Sequence, residues 1–250
     1  MVRMAVLSAR RLIRMSWLGC LIAGAALANT GSNKVGDFEQ GMGGWTVVQI
    51  DRKVPATRFE LTTIGGKNAV QASAVRSMAL LTRQVTVDLE QTPVLCWQWR
   101  VSNALRTADI TRKTGDDQAA RIYIGLTLPA SSMSLGTRTK LALARARGGR
   151  SVPDGVVNYV WDNRLPIGTV RPNVYTDRAR VVVMQSGNAE AGQWVSERRD
   201  VATDIAGQFN ARAGRVTSIA VSSDTDNTGE TVTAAFANLH FVGRSQACEF

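Results

Sequence analysis

Between the apolar run Ile219-Ala220-Val221 and the segment Phe236-Ala237-Asn238-Leu239-His240-Phe241, residues 222–231 read S-S-D-T-D-N-T-G-E-T. Asp224, Asp226 and Glu230 stand there with Asn227 and Gly229. Alternate oxygens at Asp224 and Asp226, followed by Gly229, imitate positions 1, 3 and 6 of a calcium loop. The position-12 glutamate of such a loop is missing, and Ala235 stands in its place. Aspartate and asparagine also favour turns because they satisfy their own backbone. A salt-bridged polar turn is therefore preferred over calcium at Asp224 and Asp226, and no cofactor is expected.

Other acids fall in similar polar clusters. Asp116 and Asp117 follow Thr111-Arg112-Lys113-Thr114-Gly115, and Asp177 lies in Asn173-Val174-Tyr175-Thr176-Asp177-Arg178. A pair drawn from Asp116, Asp117, Glu197, Asp224, Asp226 and Glu230 could perform glycoside hydrolysis. A lyase site with Tyr123 as proton carrier and Arg100 or Arg121 neutralising a uronic carboxylate is a second option. Neither spacing nor type singles out one pair. His240 is the only histidine, so a catalytic triad or a histidine metal site would hang on one residue, and a partly buried histidine is the plainer reading. There is no zinc spacing, P-loop or dinucleotide fingerprint.

The elements that must position these groups are strands. After the N-terminal region, Gly, Pro, Asn or Asp interrupts the chain every eight to twelve residues, with β-rich runs between, which predicts a sandwich or barrel. The fold class expected is all-β: a two-sheet antiparallel sandwich of jelly-roll or galactose-binding-like type, with short helices at Thr137–Ala146 and Thr203–Phe209. Successive strand residues point to opposite faces. Leu95, Trp97, Trp99 and Val101 then face the core and Gln98 and Arg100 face away. Ile122 and Ile124 oppose Arg121 and Tyr123, and Val181 and Val183 oppose Arg178 and Arg180. The alternation predicts Val181 and Val183 in the shared core, and one cationic face carrying Arg100, Arg121, Tyr123, Arg178 and Arg180. Asp116, Asp117, Asp177, Asp224, Asp226 and Glu230 lie at the ends of the same strands and should gather on that face as counter-charges, since an arginine fork holds a carboxylate through two hydrogen bonds. Tyr123, Tyr175 or Trp161 would offer a stacking surface. A solvated outer face with scattered arginines is the alternative.

The N-terminus carries no such pattern. Arg3, Arg10, Arg11 and Arg14 precede an apolar stretch from Met15 to Leu27, and Ala26-Leu27-Ala28 forms a cleavage site before Asn29. This predicts a secretory leader over 1–28 and one domain over 29–250, in the periplasm or outside the cell. Leu18-Gly19-Cys20 lacks the apolar stretch before the cysteine that lipidation needs. No later run is long and apolar enough to span a bilayer. The four leader arginines leave 26 basic against 20 acidic residues. An excess this modest in an exported chain argues against nucleic acid as a partner. The densest basic patch, Arg138, Lys140, Arg145, Arg147 and Arg150, reads as a solvated helix face. Cys96 and Cys248 remain after cleavage: an oxidising compartment permits their pairing, and a buried free thiol at Cys96 is the alternative.

Six stretches recur together in one known pattern: Trp97-x-Trp99-Arg100-Val101, Gly115-Asp116-Asp117-x-Ala119-Ala120-Arg121-Ile122-Tyr123, Asn158-Tyr159-Val160-Trp161, Tyr175-Thr176-Asp177-Arg178, Trp194-x-x-Glu197-x-Arg199-x-Val201 and Asp224-Thr225-Asp226-Asn227-Thr228-Gly229-Glu230. In this order they resemble the bacterial family called domain of unknown function 3047, from about Phe38 to Val242. The family name implies no activity and no catalytic residues. At the edges, Phe38-Glu39-x-Gly41 with Trp45, and Asn238-Leu239-His240-Phe241, resemble the first and last strands of carbohydrate-binding jelly rolls. Three readings follow. The first is a non-catalytic module binding a saccharide or other polyanion through Arg100, Asp116, Asp117, Arg121, Tyr123, Trp161, Tyr175, Asp177, Arg178, Arg180, Asp224, Asp226 and Glu230. The second is a hydrolase or lyase acting on envelope or extracellular glycans. The third is a structural or interaction protein without a small ligand. The dense pairing of acids and arginines favours binding; the lack of usable histidine weighs against most hydrolases.

Overall fold

The computed structural model describes residues 33–148, 152–212 and 214–250. The expected leader, with Cys20, and Arg150 of the basic patch lie outside these residues. Among the described residues no helix is long and apolar enough to cross a membrane.

The chain opens with β1 (Asn33–Gly36), β2 (Trp45–Val48), β3 (Arg58–Ile64), β4 (Lys67–Val75), β5 (Leu80–Asp88) and β6 (Val94–Val101). It continues through β7 (Gln118–Leu126), α1 (Leu135–Gly148), β8 (Gly155–Asp162), β9 (Val170–Pro172) and β10 (Ala179–Ser186). It ends with β11 (Val195–Asp200), α2 (Val201–Phe209), β12 (Arg215–Asp224) and β13 (Thr231–Val242). One sheet has the order β11-β6-β13-β4-β3, with β1 also paired to β13, and the other runs β2-β5-β12-β7-β8-β10-β9. From β4 to β7 and from β10 to β13 the chain crosses between sheets at each step, a jelly-roll alternation. All neighbours pair antiparallel except β8 and β10, which are parallel.

Alternation explains the core. Trp97 and Trp99 project from β6 and meet Tyr159 and Trp161 from β8: Trp97 stacks on Tyr159 with centroids 5.4 Å apart, and Trp99 meets Trp161 at 5.8 Å. Ile122 and Ile124 of β7 join the same cluster. Trp161 is therefore a core residue, its indole N–H donating to the Gly187 carbonyl at 2.9 Å, and offers no stacking surface. α2 starts where expected by chemistry: the Asp200 carboxylate accepts the Thr203 N–H, a cap that satisfies a free donor of the first turn.

Val181 and Val183 depart from the expectation. The core receives Val182 and Met184 of β10 instead, while Val181 and Val183 form an outer cluster with Ile110 and Val160. The seven-stranded sheet is buried on both faces at its centre because the loop around residues 104–117 and the stretches flanking β9, around 163–166 and 173–177, roof its outer side. Asn163 ties them by donating to the Ala108 carbonyl at 3.0 Å, and Arg164 pairs with Asp109 at 2.7 Å. A strand buried on both sides does not reveal its core face by hydrophobicity.

Cys96 and Cys248 form a disulfide that fixes the C-terminal tail on the outer side of β6. Of the readings left open for these cysteines, the structure has the bridge.

Candidate functional site

The roof buries Arg121. Its β7 position directs it away from the sandwich core, as expected, but residues 113–117 and 173–177 close over it and leave it 3 % exposed. Its Nη2 donates to the Asp116 carbonyl and to Asp116 Oδ1, both at 3.1 Å, and stands 3.6 Å from Asp224 Oδ2. Asp224 Oδ1 accepts the Gln118 N–H at 2.9 Å, and Asp116 Oδ2 accepts from Asn173 Nδ2 at 3.3 Å. The guanidinium lies 5.5 Å above the Tyr123 ring. Gly115 sets the approach of Asp116, since a Cβ there would come within 3.0 Å of the Asp109 nitrogen.

The turn at residues 224–230 is wired around the Asp117 side chain. Asp117, fully buried, accepts from Asn227 N, Asn227 Nδ2 and Thr228 N at 3.0, 3.0 and 2.6 Å. The turn closes at Gly229 with φ +71°, a conformation that suits glycine. Backbone donors thus converge on a carboxylate from another loop, and among the described residues arginines pair only at the two ends of the segment, Arg121 with Asp224 and Arg106 with Glu230. Among the described residues, the only three-ligand group compact enough for a metal is Cys96, His240 and Cys248. Asp117→Asn should lower stability by about 1–3 kcal/mol by leaving a buried donor unmet; a urea melt unchanged within error would contradict this role.

Charge is unevenly matched. Burial pushes Asp224 up to about 7, with Asp117 and Asp116 adding to the rise and Arg121 opposing it. Asp226 is raised by burial and then by Asp117, and among the described residues no lysine or arginine pairs with it. Burial raises Tyr123 to about 12. Asp116, Asp224, Asp226 and Asn227 form one wall of a pocket of about 380 Å³; Ile50, Val54 and Met78 provide apolar surface, with Asp51 and Tyr175 completing the lining. Tyr175 is 57 % exposed and also borders a second hollow of about 600 Å³ with Thr137, Lys140 and Thr176. Its hydroxyl donates to the Lys113 carbonyl at 2.7 Å, which anchors the ring. Buried polar atoms without a partner cluster on this sheet: Arg121 Nε, Gln118 Nε2 and Asn158 Oδ1.

The remaining expected members are elsewhere. Arg100 lies on the six-stranded sheet beside Gln71 and Thr233, on the opposite side of the sandwich. Arg178 donates to the Asp154 carbonyl, Arg180 to the Asp177 carbonyl, and both guanidinium groups lie over Phe209; among the described residues neither pairs with a carboxylate. Asp177 is exposed. Glu230 accepts from the Arg106 and Thr107 backbone and the Thr107 hydroxyl, where its pKa lies below the usual range although burial opposes this. The single cationic face is thus replaced by one buried arginine under a carboxylate-lined pocket. Ile50, Asp51 and Val54, in the loop after edge strand β2, and Met78, in the β4–β5 connection, were missed because neither connection carries a chemical spacing.

Fold and pocket together define a jelly-roll β-sandwich with a recessed acidic hollow on its seven-stranded sheet. The chain belongs to the family described as protein of unknown function, DUF3047, whose profile matches residues 43–240. No curated protein matches it. Among solved structures it is similar to the xyloglucanase domain of NopAA, a type three effector from Sinorhizobium fredii in complex with cellobiose. That match has 10 % identity and TM-score 0.42, covering 87 % of this chain and 99 % of that one. Cellulose induced protein, Cip1, is similar at 14 % identity and TM-score 0.41, over 86 % and 99 %. A family 12 xyloglucanase from Bacillus licheniformis is similar at 13 % and 0.39, over 87 % and 95 %. Values this low transfer no ligand or reaction.

Proposed function

We propose that this chain is an exported, non-catalytic module that binds a neutral saccharide in the pocket lined by Asp116, Asp224, Asp226 and Tyr175. The observation that carries the reading is the pairing of a partly exposed aromatic ring with a wall of hydrogen-bond acceptors over a recessed hollow. Sugar hydroxyls donate to carboxylates, and a ring face covers the apolar side of a pyranose; few polar groups on an otherwise apolar hollow suit small ligands generally. The wall carries four carboxylates, counting Asp51, and the Arg121 guanidinium behind it is already shared between Asp116 and Asp224. Such a wall repels a polyanion, so the anionic-ligand option gives way to a neutral sugar. Tyr175 stands between two hollows, which favours a chain of sugars over a single unit.

Binding is favoured over catalysis because Asp116 and Asp224 are both held by protein donors. The leader-like N-terminus supports export. A glycan array probed with the chain lacking residues 1–28 should return neutral oligosaccharides. Tyr175→Ala should weaken the strongest of them roughly tenfold, the order of one aromatic contact. Tyr175→Phe, which keeps the ring but loses its anchor on the Lys113 carbonyl, should weaken binding clearly less than Tyr175→Ala. An array with no neutral glycan above background would refute the proposal.

A further inference from the structure

A second constellation lies on the outer side of the six-stranded sheet. His240 and Cys96 are direct cross-strand partners on β13 and β6, where side chains of one face stand about 4.5–5.5 Å apart at Cβ. The two cysteine sulfurs and a ring nitrogen of His240 all lie within 4.8 Å of one another. The protonation of the ring follows from its partners. Nδ1 meets the Asn238 carbonyl at 2.6 Å, which can only accept, and Nε2 meets the Glu249 N–H at 3.3 Å, which can only donate. The proton is therefore on Nδ1, and Nε2 presents a lone pair toward the C-terminal tail. A metal-binding histidine is likewise tied to a carbonyl through one nitrogen, and coordination at Nε2 would replace the Glu249 N–H contact.

We propose that Cys96, Cys248 and His240 form a thiolate–imidazole site for a soft divalent cation such as Zn²⁺, masked by the disulfide and opened by its reduction. In the bridged chain each sulfur spends its bonding capacity on the other, leaving no thiolate. Cys96 is fully buried and Cys248 partly exposed on the tail, so an external thiol attacks at Cys248. A second thiol resolves the mixed disulfide: two external thiols become one disulfide, and Cys96 and Cys248 gain two electrons and two protons. Zn²⁺ then displaces both thiol protons. Cys96 and His240 are set by sheet register, and Cys248 is carried by the C-terminal segment that crosses them. Two thiolates and one imidazole leave a fourth position for water in tetrahedral zinc. A cavity of about 200 Å³ borders His240, with Glu39, Glu249 and the Lys34–Asp37 ion pair in its lining. The inference is independent of the saccharide pocket, on the opposite sheet.

The test reduces the full chain with a phosphine, removes the reductant without oxygen, and titrates Zn²⁺ against a chromophoric chelator. Reduced chain should take up one Zn²⁺ at least ~100-fold more tightly than bridged chain, and Co²⁺ should give a thiolate charge-transfer band. His240→Asn should weaken uptake by the reduced chain roughly 10–100-fold, and Cys248→Ser should abolish the cobalt band. The proposal is overturned if reduced and bridged chains bind Zn²⁺ alike, if no thiolate band forms, or if His240→Asn binds as the parent does. It is equally overturned if the reduced chain loses its near-ultraviolet circular dichroism, because the site needs β6 and β13 intact.

Discussion

Arg121→Met should destabilise the chain by about 3–5 kcal/mol, the cost of breaking a buried ion pair and leaving its partners uncompensated. In a domain of this size that is a fall of roughly 6–20 °C in melting temperature. Methionine keeps the stem that packs beneath the roof but removes the charge shared by Asp116 and Asp224. The penalty should grow with pH, and the sign follows from Asp224. Its folded value of about 7 lies above its ordinary 3.8, so between these values the folded chain holds a proton that the unfolded chain has released. This group's contribution is fully present below about pH 4 and lost as pH rises through 7, at up to about 1.4 kcal/mol per pH unit. Asp226 and Glu197, both raised chiefly by burial, push in the same direction. Asp224→Asn should therefore be tolerated better than Arg121→Met and should flatten the profile above pH 5. Urea melts from pH 5 to 8 read both effects. A loss under about 1 kcal/mol for Arg121→Met at pH 8 would mean the arginine is not the counter-charge of this cluster.

Trp97→Ala should cost about 3–5 kcal/mol, as truncation of buried aromatic side chains does. Trp97 is fully buried, stacked on Tyr159 across the sandwich and edge-on to Trp99 at 5.5 Å. It joins the sheets where β6 faces β8, so both would line the void. The indole N–H has no partner among the described residues, so Trp97→Phe removes an unmet donor along with part of the ring and should cost well under half as much. Equal losses for the two variants, measured by chemical denaturation, would show that the void does not set the cost.

The fold could be read from the sequence where strands alternate cleanly. Trp97 and Trp99, two residues apart with Gln98 between them, identified their core face without further information. The same rule applied to Tyr159 and Trp161 identifies a second core pair, and reading Trp161 as a ligand platform passed over that spacing. Alternation fixes a side chain relative to its own strand and says nothing about which sheet the strand joins. Arg100 and Arg121 both point away from the core, yet they emerge on opposite sides of two sheets packed about 10 Å apart. Arg121, Asp116 and Asp224 could be grouped as an arginine with counter-charges at strand ends, and the structure brings them together because β7 pairs with β12. Partners such as Arg106 for Glu230, and the backbone donors around Asp117, come from loops whose closure is tertiary. The apolar side of the pocket comes from such a loop too.

The most direct measurement of the saccharide reading is a backbone amide NMR titration of the leader-free chain with a neutral oligosaccharide selected on the array. The account predicts the largest shifts at Asp226, Asn227, Tyr175 and Val54, with smaller ones at Thr176 and Lys140 as the oligosaccharide lengthens past Tyr175. Shifts concentrated around Gln71, Arg100 and Thr233 on the other sheet, or none at saturating sugar, would contradict it.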